Sequence, residues 1–330
     1  MNLDFLSGKR ILITGGTGSL GQRLVKTLLD RSDARHVVVF SRDELKQSQM
    51  QSVFAAHDER LRYFLGDVRD ISRVNRAFYG VDVVIHAAAL KQVPSLEYNP
   101  FEAIQTNVIG TQNVIHAAID QGVGKVLLIS TDKAANPANL YGATKLCAER
   151  LAISAAHSSG DRTVFAAVRY GNVLGSRGSL LKLIEEQRKT GVVKLTHEDM
   201  TRFWITLDQG VELVMHGLRN MVGGEIFIPK IPSMKVKDLL KLLAPECEMK
   251  IIGIRPGEKL HEVLVTPEES PHTLEQERHY VIYPEFTHGK DIAGKIGGAP
   301  LTRGFSFTSD TNSHWLDEAG LRELLKSLDV

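Results

Sequence analysis

Short apolar runs, each ending in small or polar residues and followed by a longer amphipathic stretch, recur through the first half of the chain. Arg10-Ile11-Leu12-Ile13-Thr14 is the first, His36-Val37-Val38-Val39-Phe40 the second, and Arg62 to Val68 the third. Asp82-Val83-Val84-Ile85-His86 and Val126-Leu127-Leu128-Ile129 follow, and Val164 to Tyr170 closes the series. Runs this short and this rich in β-branched residues predict strands buried on both faces. The stretches between them predict helices, among them one ending at Leu29, one from about Thr106 to Ala118 and one from Tyr141 to Ala155. Such alternation predicts an α/β fold built on a doubly wound parallel sheet.

Beyond Tyr170 the alternation weakens. Leu180 to Lys189 and Trp315 to Leu328 read as helices, and the stretch near 204–230 reads as a return to the sheet. The expected organisation is a Rossmann domain over 1–170 with that returning segment. A smaller substrate-binding domain and C-terminal tail would then comprise 171–203 and 231–330. No internal repeat or low-complexity segment interrupts the chain.

Composition narrows the class without naming an activity. The 330 residues are 43% hydrophobic and 24% charged, enough for one large α/β domain and a smaller one. A formal net charge of +1 gives no basic surface for a nucleic acid. Cys147 and Cys247 have neither metal nor disulfide spacing, which fits a reducing compartment and no bound metal. No apolar run approaches membrane-spanning length, and Met1 to Arg10 lacks the pattern of a secretion signal. The expectation is a cytoplasmic protein with no membrane partner.

The ends of the expected strands carry the candidate chemistry. After the first comes Gly15-Gly16-Thr17-Gly18-Ser19-Leu20-Gly21, which satisfies Gly-x-Gly-x-x-Gly between a strand and a helix. Glycines there allow a tight turn, close approach of a pyrophosphate and close helix packing, so the loop predicts a dinucleotide site. After the second strand an NAD enzyme usually carries an acidic residue for the ribose hydroxyl. Ser41 and Arg42 come first here, with Lys46 close behind, a set suited to the 2′-phosphate of NADP. Asp43 and Glu44 complicate that reading, or cap the next helix. Asp67 accepts from an adenine amino group or caps a helix. Ala87-Ala88-Ala89 leaves room for a flat cofactor or for a packed helix, and His86 reads as a core histidine.

The densest group is Ser130-Thr131-Asp132-Lys133, followed by Tyr141 and Lys145 at helical spacing. Residues four apart share a helix face. An ammonium about 4 Å from a phenol, at an effective dielectric of about 20, contributes roughly 4 kcal/mol, or up to about three pKa units. That would make Tyr141 a usable base near neutral pH. Asp132 and Lys133 are either a solvated loop pair or an acid and an amine placed to move protons on whatever Tyr141 helps to oxidise.

Taken together these residues resemble the extended short-chain dehydrogenase/reductase family. The likeness is stronger still to its inverting UDP-N-acetylglucosamine 4,6-dehydratases, which begin pseudaminic acid synthesis. It spans about Lys9 to Glu285 and rests on Ile13 to Ser19, Ser41 to Lys46, Ser130 to Lys133, and Arg255-Pro256-Gly257-Glu258-Lys259-Leu260-His261-Glu262. The resemblance implies NADP contacts at Thr17, Gly18, Ser19, Leu20, Gly21, Ser41, Arg42, Asp43, Glu44, Leu45, Lys46, Asp67, Val68, Ala87 and Lys91. It implies that Tyr141 and Lys145 serve oxidation at C4, that Thr131 bonds the sugar, and that Lys133 and Asp132 act as base at C5 and acid at C6. Lys91, Asn172, Arg177, Thr201, Arg202, Arg255 and Glu258 would hold the UDP-sugar. Relatives assemble as oligomers, often hexamers. Three rivals share much of this pattern: a UDP-sugar 4,6-dehydratase that retains the C5 configuration, a UDP-sugar 4-epimerase, which needs no Asp-Lys pair, and a non-catalytic NADP-binding protein, which needs no Tyr-Lys pair.

Overall fold

The computed structural model describes residues 1–160, 162–176, 180–285 and 291–326. In its first half, β1 (Arg10–Thr14) leads to α1 (Ser19–Arg31), β2 (His36–Ser41) to α2 (Glu44–Val53), and β3 (Leu61–Leu65) to α3 (Ile71–Phe78). After β4 (Val83–His86) come α4 (Val93–Tyr98), α5 (Pro100–Ile104), a π-helical segment Gln105–Ile109 and α6 (Gly110–Asp120). Then β5 (Lys125–Ile129), α7 (Leu140–Ser158) and β6 (Val164–Val168) close the alternation. The expected strands and helices are all present, with ends shifted by a few residues.

The second half begins with β7 (Asn172–Val173), α8 (Leu180–Arg188), β8 (Val192–Leu195) and β9 (Thr201–Ile205). The chain then forms α9 (Leu207–Asn220), β10 (Ile226–Pro229), β11 (Ser233–Lys235), α10 (Val236–Leu243) and β12 (Glu248–Ile251). It ends with β13 (Val263–Val265), β14 (Thr273–Glu275), β15 (His279–Ile282), α11 (Ile292–Ile296), β16 (Ala299–Pro300), β17 (Phe307–Thr308) and α12 (Glu318–Lys326).

A ten-stranded sheet in the order β16-β14-β15-β10-β6-β5-β4-β1-β2-β3 organises the molecule. The run from β3 to β10 is parallel throughout. Through α9 the chain reaches β10, which pairs parallel with β6. The sheet then continues antiparallel into β15, β14 and β16. Strands β14, β15 and β16, in the stretch expected to form the smaller domain, thus extend the large sheet, because β15 hydrogen-bonds along the open edge of β10. Strand order reverses between β1 and β4, which opens a crevice at their carboxyl ends.

Alternating side chains put one set of strand residues on each face. Ile11, Ile13, Val39 and Ile85 pack with Leu24, Leu28, Val214 and Leu218 of α1 and α9. Leu12, Val84 and Val126 pack the other way, with Val74, Phe78, Val114 and Ala118 of α3 and α6. Away from the sheet, Ile184, Val193, Leu195, Met200 and Leu240 form a separate small core. The two parts are tied by fully buried Arg169, just past β6. It donates to Glu149 of α7 at 2.7 and 3.1 Å and to Glu269 and the Leu264 carbonyl at 2.9 Å.

Candidate active site

At the switch point the glycine loop lies against the start of the chain beyond β4. Gly15 has φ +67°, and a Cβ there would come within 2.9 Å of the Ala88 backbone. A Cβ on Gly21 would lie 2.6 Å from Gly16. Only glycine fits either place, and the loop delivers the N-terminus of α1 to the crevice, where unpaired N–H groups suit a pyrophosphate. His86 sits beneath, buried, bonded to the hydroxyls of Thr14 at 2.7 Å and Thr111 at 3.0 Å. Burial drives its pKa down to about 3, so it is a neutral core residue as expected.

A cleft of about 700 Å³ runs from this loop to the end of β5. Gly15, Thr17, Gly18, Ser19, Leu20 and Gly21 line it, as do Ser41, Arg42, Asp43, Lys46, Asp67, Val68, Ala87 and Lys91. Gln47 holds Ser41 by bonds to its carbonyl and hydroxyl at 3.0 and 3.1 Å. Asp43 caps α2 through the Lys46 amide and also pairs with the Lys46 ammonium. Glu44 and Leu45 are exposed and lie off the cleft wall, because the first turn of α2 points them outward. Asp67 accepts from Arg69 at 2.7 and 3.0 Å and lies 3.7 Å from Arg42. Burial pushes its carboxyl up, but those guanidinium groups outweigh it and hold the pKa below the ordinary value. Ser130 Oγ and Thr106 Oγ1 face this cleft buried and without a protein partner. Buried polar groups are normally satisfied, so together with the glycine cradle they fit a bound nicotinamide dinucleotide.

The reactive centre follows β5. Thr131, Lys133, Tyr141 and Lys145 line the cleft. Asn139 caps α7 by accepting from the Gly142 amide at 2.8 Å, which sets the rotation that turns Tyr141 inward. The Lys145 amine is not spent on the phenol: it donates to the Ile129 carbonyl at 2.6 Å. Burial lowers its pKa to about 8, against the opposing charge of Glu149. Tyr141 itself is pushed up to about 12, by burial first, with Asp132 adding and Lys133 and the Thr131 hydroxyl offsetting. The expected depression of Tyr141 by Lys145 is therefore absent here, since desolvation outweighs the nearby cations.

The Lys133 ammonium lies 3.1 Å from Asp132 Oδ1, 3.2 Å from Glu262 Oε1 and 3.4 Å from Asn172 Oδ1. Burial alone would lower its pKa; the charges of Asp132 and Glu262 outweigh burial and raise it. The role of base at C5 expected of Lys133 therefore requires that this proton leave first. Asp132 is fully buried behind Lys133, with Oδ1 also accepting from Thr131 at 2.8 Å and Oδ2 unpartnered. Burial raises its pKa. Glu262 goes the other way: burial would raise it, but Lys133, Arg202 and Lys259 hold it down. Of the two carboxyls, Glu262 is the one held toward its ionised form.

The expected UDP-sugar residues divide. Asn172 lines the cleft. Thr201 is buried on β9, bonded to His261 at 2.8 Å and Ser309 at 2.7 Å, away from the wall. Arg202 donates to the carbonyls of Thr201, Lys259 and Leu260 and lies 3.6 Å from Glu258 and 3.7 Å from Glu262. It supports the site from behind. Arg255 is exposed, its amide 3.4 Å from Glu258 Oε2, and Arg177 lies outside the described residues. Sequence reasoning missed Glu262, although it ends the Arg255–Glu262 motif, and Trp204, which lines the cleft from β9. Among the described residues no cluster of side chains is arranged to hold a metal, and no helix is long and apolar enough to cross a membrane.

A model of the family described as polysaccharide biosynthesis protein matches residues 11–284. A protein of Campylobacter jejuni named UDP-N-acetylglucosamine 4,6-dehydratase (inverting) is 49% identical, over 96% of this chain and 97% of its own. A Rickettsia conorii protein named UDP-glucose 4-epimerase is 43% identical, over 79% of each. The X-ray structure of Pen from Bacillus thuringiensis superposes with a TM-score of 0.90 at 38% identity, covering 98% of both chains. Family match, near-complete coverage and the furnished cleft agree: the chain belongs to the polysaccharide biosynthesis protein family of Rossmann-fold enzymes, in the group that holds the inverting UDP-N-acetylglucosamine 4,6-dehydratases.

Proposed function

We propose that the chain is an NADP-dependent UDP-N-acetylglucosamine 4,6-dehydratase that inverts C5, yielding UDP-2-acetamido-2,6-dideoxy-β-L-arabino-hex-4-ulose as the first step of pseudaminic acid synthesis. The observation that carries the reading is the Lys133 amine at the cleft wall, bonded to Asp132 and beside Tyr141. A nicotinamide dinucleotide held by the glycine loop and Ser41 would supply hydride-transfer chemistry in both directions, so that no second substrate would be consumed. Tyr141, once its phenol is ionised, takes the proton of the C4 hydroxyl, with Thr131 orienting that hydroxyl. The C4 ketone acidifies C5; Lys133, once neutral, removes the C5 proton, and a solvent proton added to the opposite face as hydride reaches C6 completes the inversion. Asp132 holds a proton for the departing C6 hydroxyl and bonds the two cleft residues, Thr131 and Lys133, through which it is delivered. Ser41 and Arg42 favour NADP over NAD. The neutral charge balance and two free cysteines support a cytoplasmic setting, and the resemblance supports a homo-oligomer.

One second reading has its own observation: relatives at 43% identity are named UDP-glucose 4-epimerases. An epimerase needs the Tyr141/Lys145 pair and has no use for an acid and amine at C5 and C6. Incubation with UDP-N-acetylglucosamine, followed by mass spectrometry, separates the two. Loss of one water supports dehydration; an isomer of unchanged mass supports epimerisation and overturns the proposal.

A further inference from the structure

Glu262 is a carboxylate in a place where a carboxylate is expensive. It is 2% exposed, lies far along the chain from the reactive turn, and meets that turn at Lys133. Its backbone is pinned on both sides to Ser309, whose hydroxyl accepts from the Glu262 amide at 2.9 Å and whose amide donates to the Glu262 carbonyl at 2.9 Å. Oε1 points at the Lys133 amine at 3.2 Å, and Arg202 lies 3.7 Å from the same oxygen. Oε2 has no hydrogen-bond partner and lies 3.8 Å from the Lys259 amine, which is itself committed to the Ala135 carbonyl at 2.6 Å. A buried charge persists only where it is paired, and the group positioned best for this one is Lys133.

We propose that Glu262 is a positioning residue for Lys133: from the opposite side to Asp132 it fixes where the amine sits at the cleft wall. This rests on the dehydratase reading above and extends it to the support of the base. Every charged or titratable group facing the pair belongs to a named element. Asp132 and Lys133 come from the turn after β5, Tyr141 from α7 and Arg202 from β9. Lys259 and Glu258 come from the loop before β13; His261, in the same loop, is committed to Thr201. Three cations thus surround Glu262, while the amine has two acid groups. An amine held next to a fixed negative charge keeps its proton longer, and its neutral form is correspondingly the stronger base toward a C–H bond. Arg202 and Lys259 keep the carboxylate ionised when that proton leaves.

The test compares the intact protein with Glu262→Gln, which keeps the shape and removes the charge. Lys133 is labelled with acetic anhydride across a pH series, and its peptide is quantified by mass spectrometry. The half-labelling pH is expected to fall by at least about one unit in the variant. Solvent exchange at C5 of UDP-N-acetylglucosamine should reach half its plateau at a correspondingly lower pH, with a lower plateau because the amine is no longer held. Coincident labelling curves would overturn the proposal. Should Glu262→Gln not fold, Glu262→Asp moves the charge back by one methylene and is expected to shift the curve by less in the same direction. An unmoved curve with unaltered C5 exchange would overturn it equally. The labelling arm uses no substrate, so wild-type protein that labels as expected but forms no dehydrated product would refute the dehydratase reading alone.

Discussion

The Tyr141 phenol feels the charges of Asp132 and Lys133 and lines the cleft, so removing its hydroxyl leaves the packing of α7 almost untouched. Tyr141→Phe should therefore fold normally and lose about 10²–10⁴-fold in dehydration, as for a missing general base. Steady-state turnover with a thermal melt as control checks this, and near-normal turnover would make the phenol structural. His86 makes a separate pH statement. Its folded pKa of about 3 lies below the unfolded value of 6.5, so below pH 6.5 the unfolded chain binds a proton that the folded chain does not. Stability present above 6.5 is lost as pH falls toward 3, by up to about 5 kcal/mol from this one group. Urea titrations should show that loss diminished in His86→Gln, and parallel pH curves for the two proteins would contradict the assignment. At this scale the sequence was legible where neighbours along a helix decide, and misleading where burial does. The spacing of Tyr141 and Lys145 predicts their common face but not that Lys145 spends its bond on Ile129. Glu262 was invisible as a partner of Lys133 because only tertiary folding joins them.

At the level of elements, the proposed preference for NADP rests on the turn from β2 into α2. Asp43 is consumed as the cap of α2 and as the partner of Lys46, which leaves Ser41 and Arg42 at the cleft. Arg42→Ala should weaken NADP by about tenfold or more, the value of one charge-assisted contact, while changing NAD little. Calorimetric titration of both cofactors reads this, and equal losses for the two would show that Arg42 does not face a 2′-phosphate. The strand ends and the glycine loop were legible because hydrophobic runs and glycine spacing are local signals. The π-helical segment was not: Asn107 sits in it with its amide clamped to Leu90 at 2.8 and 2.9 Å and to Thr144 at 3.0 Å. Nothing local in the sequence announces such a widened turn, which is set by those contacts with neighbouring elements. The short β13, β14 and β17 escaped notice because strands of two or three residues carry no readable alternation.

For the whole molecule, the sheet supplies the crevice and the later chain supplies its far wall. Arg169 links the two through Glu149 and Glu269, and the Glu262 clamp joins the Lys259 segment to the reactive turn. The account therefore stands or falls on what Lys133 does to C5 while the rest of the cleft works at C4 and C6. Running the reaction on UDP-N-acetylglucosamine in D₂O and following early product by nuclear magnetic resonance addresses that directly. The expected product is a 4-keto-6-deoxy sugar of L configuration with deuterium at C5, and a substrate labelled at C4 should carry that label to C6. Lys133→Ala should abolish the C5 exchange. A product of D configuration formed before any spontaneous epimerisation, or full C5 exchange in Lys133→Ala, would contradict the account.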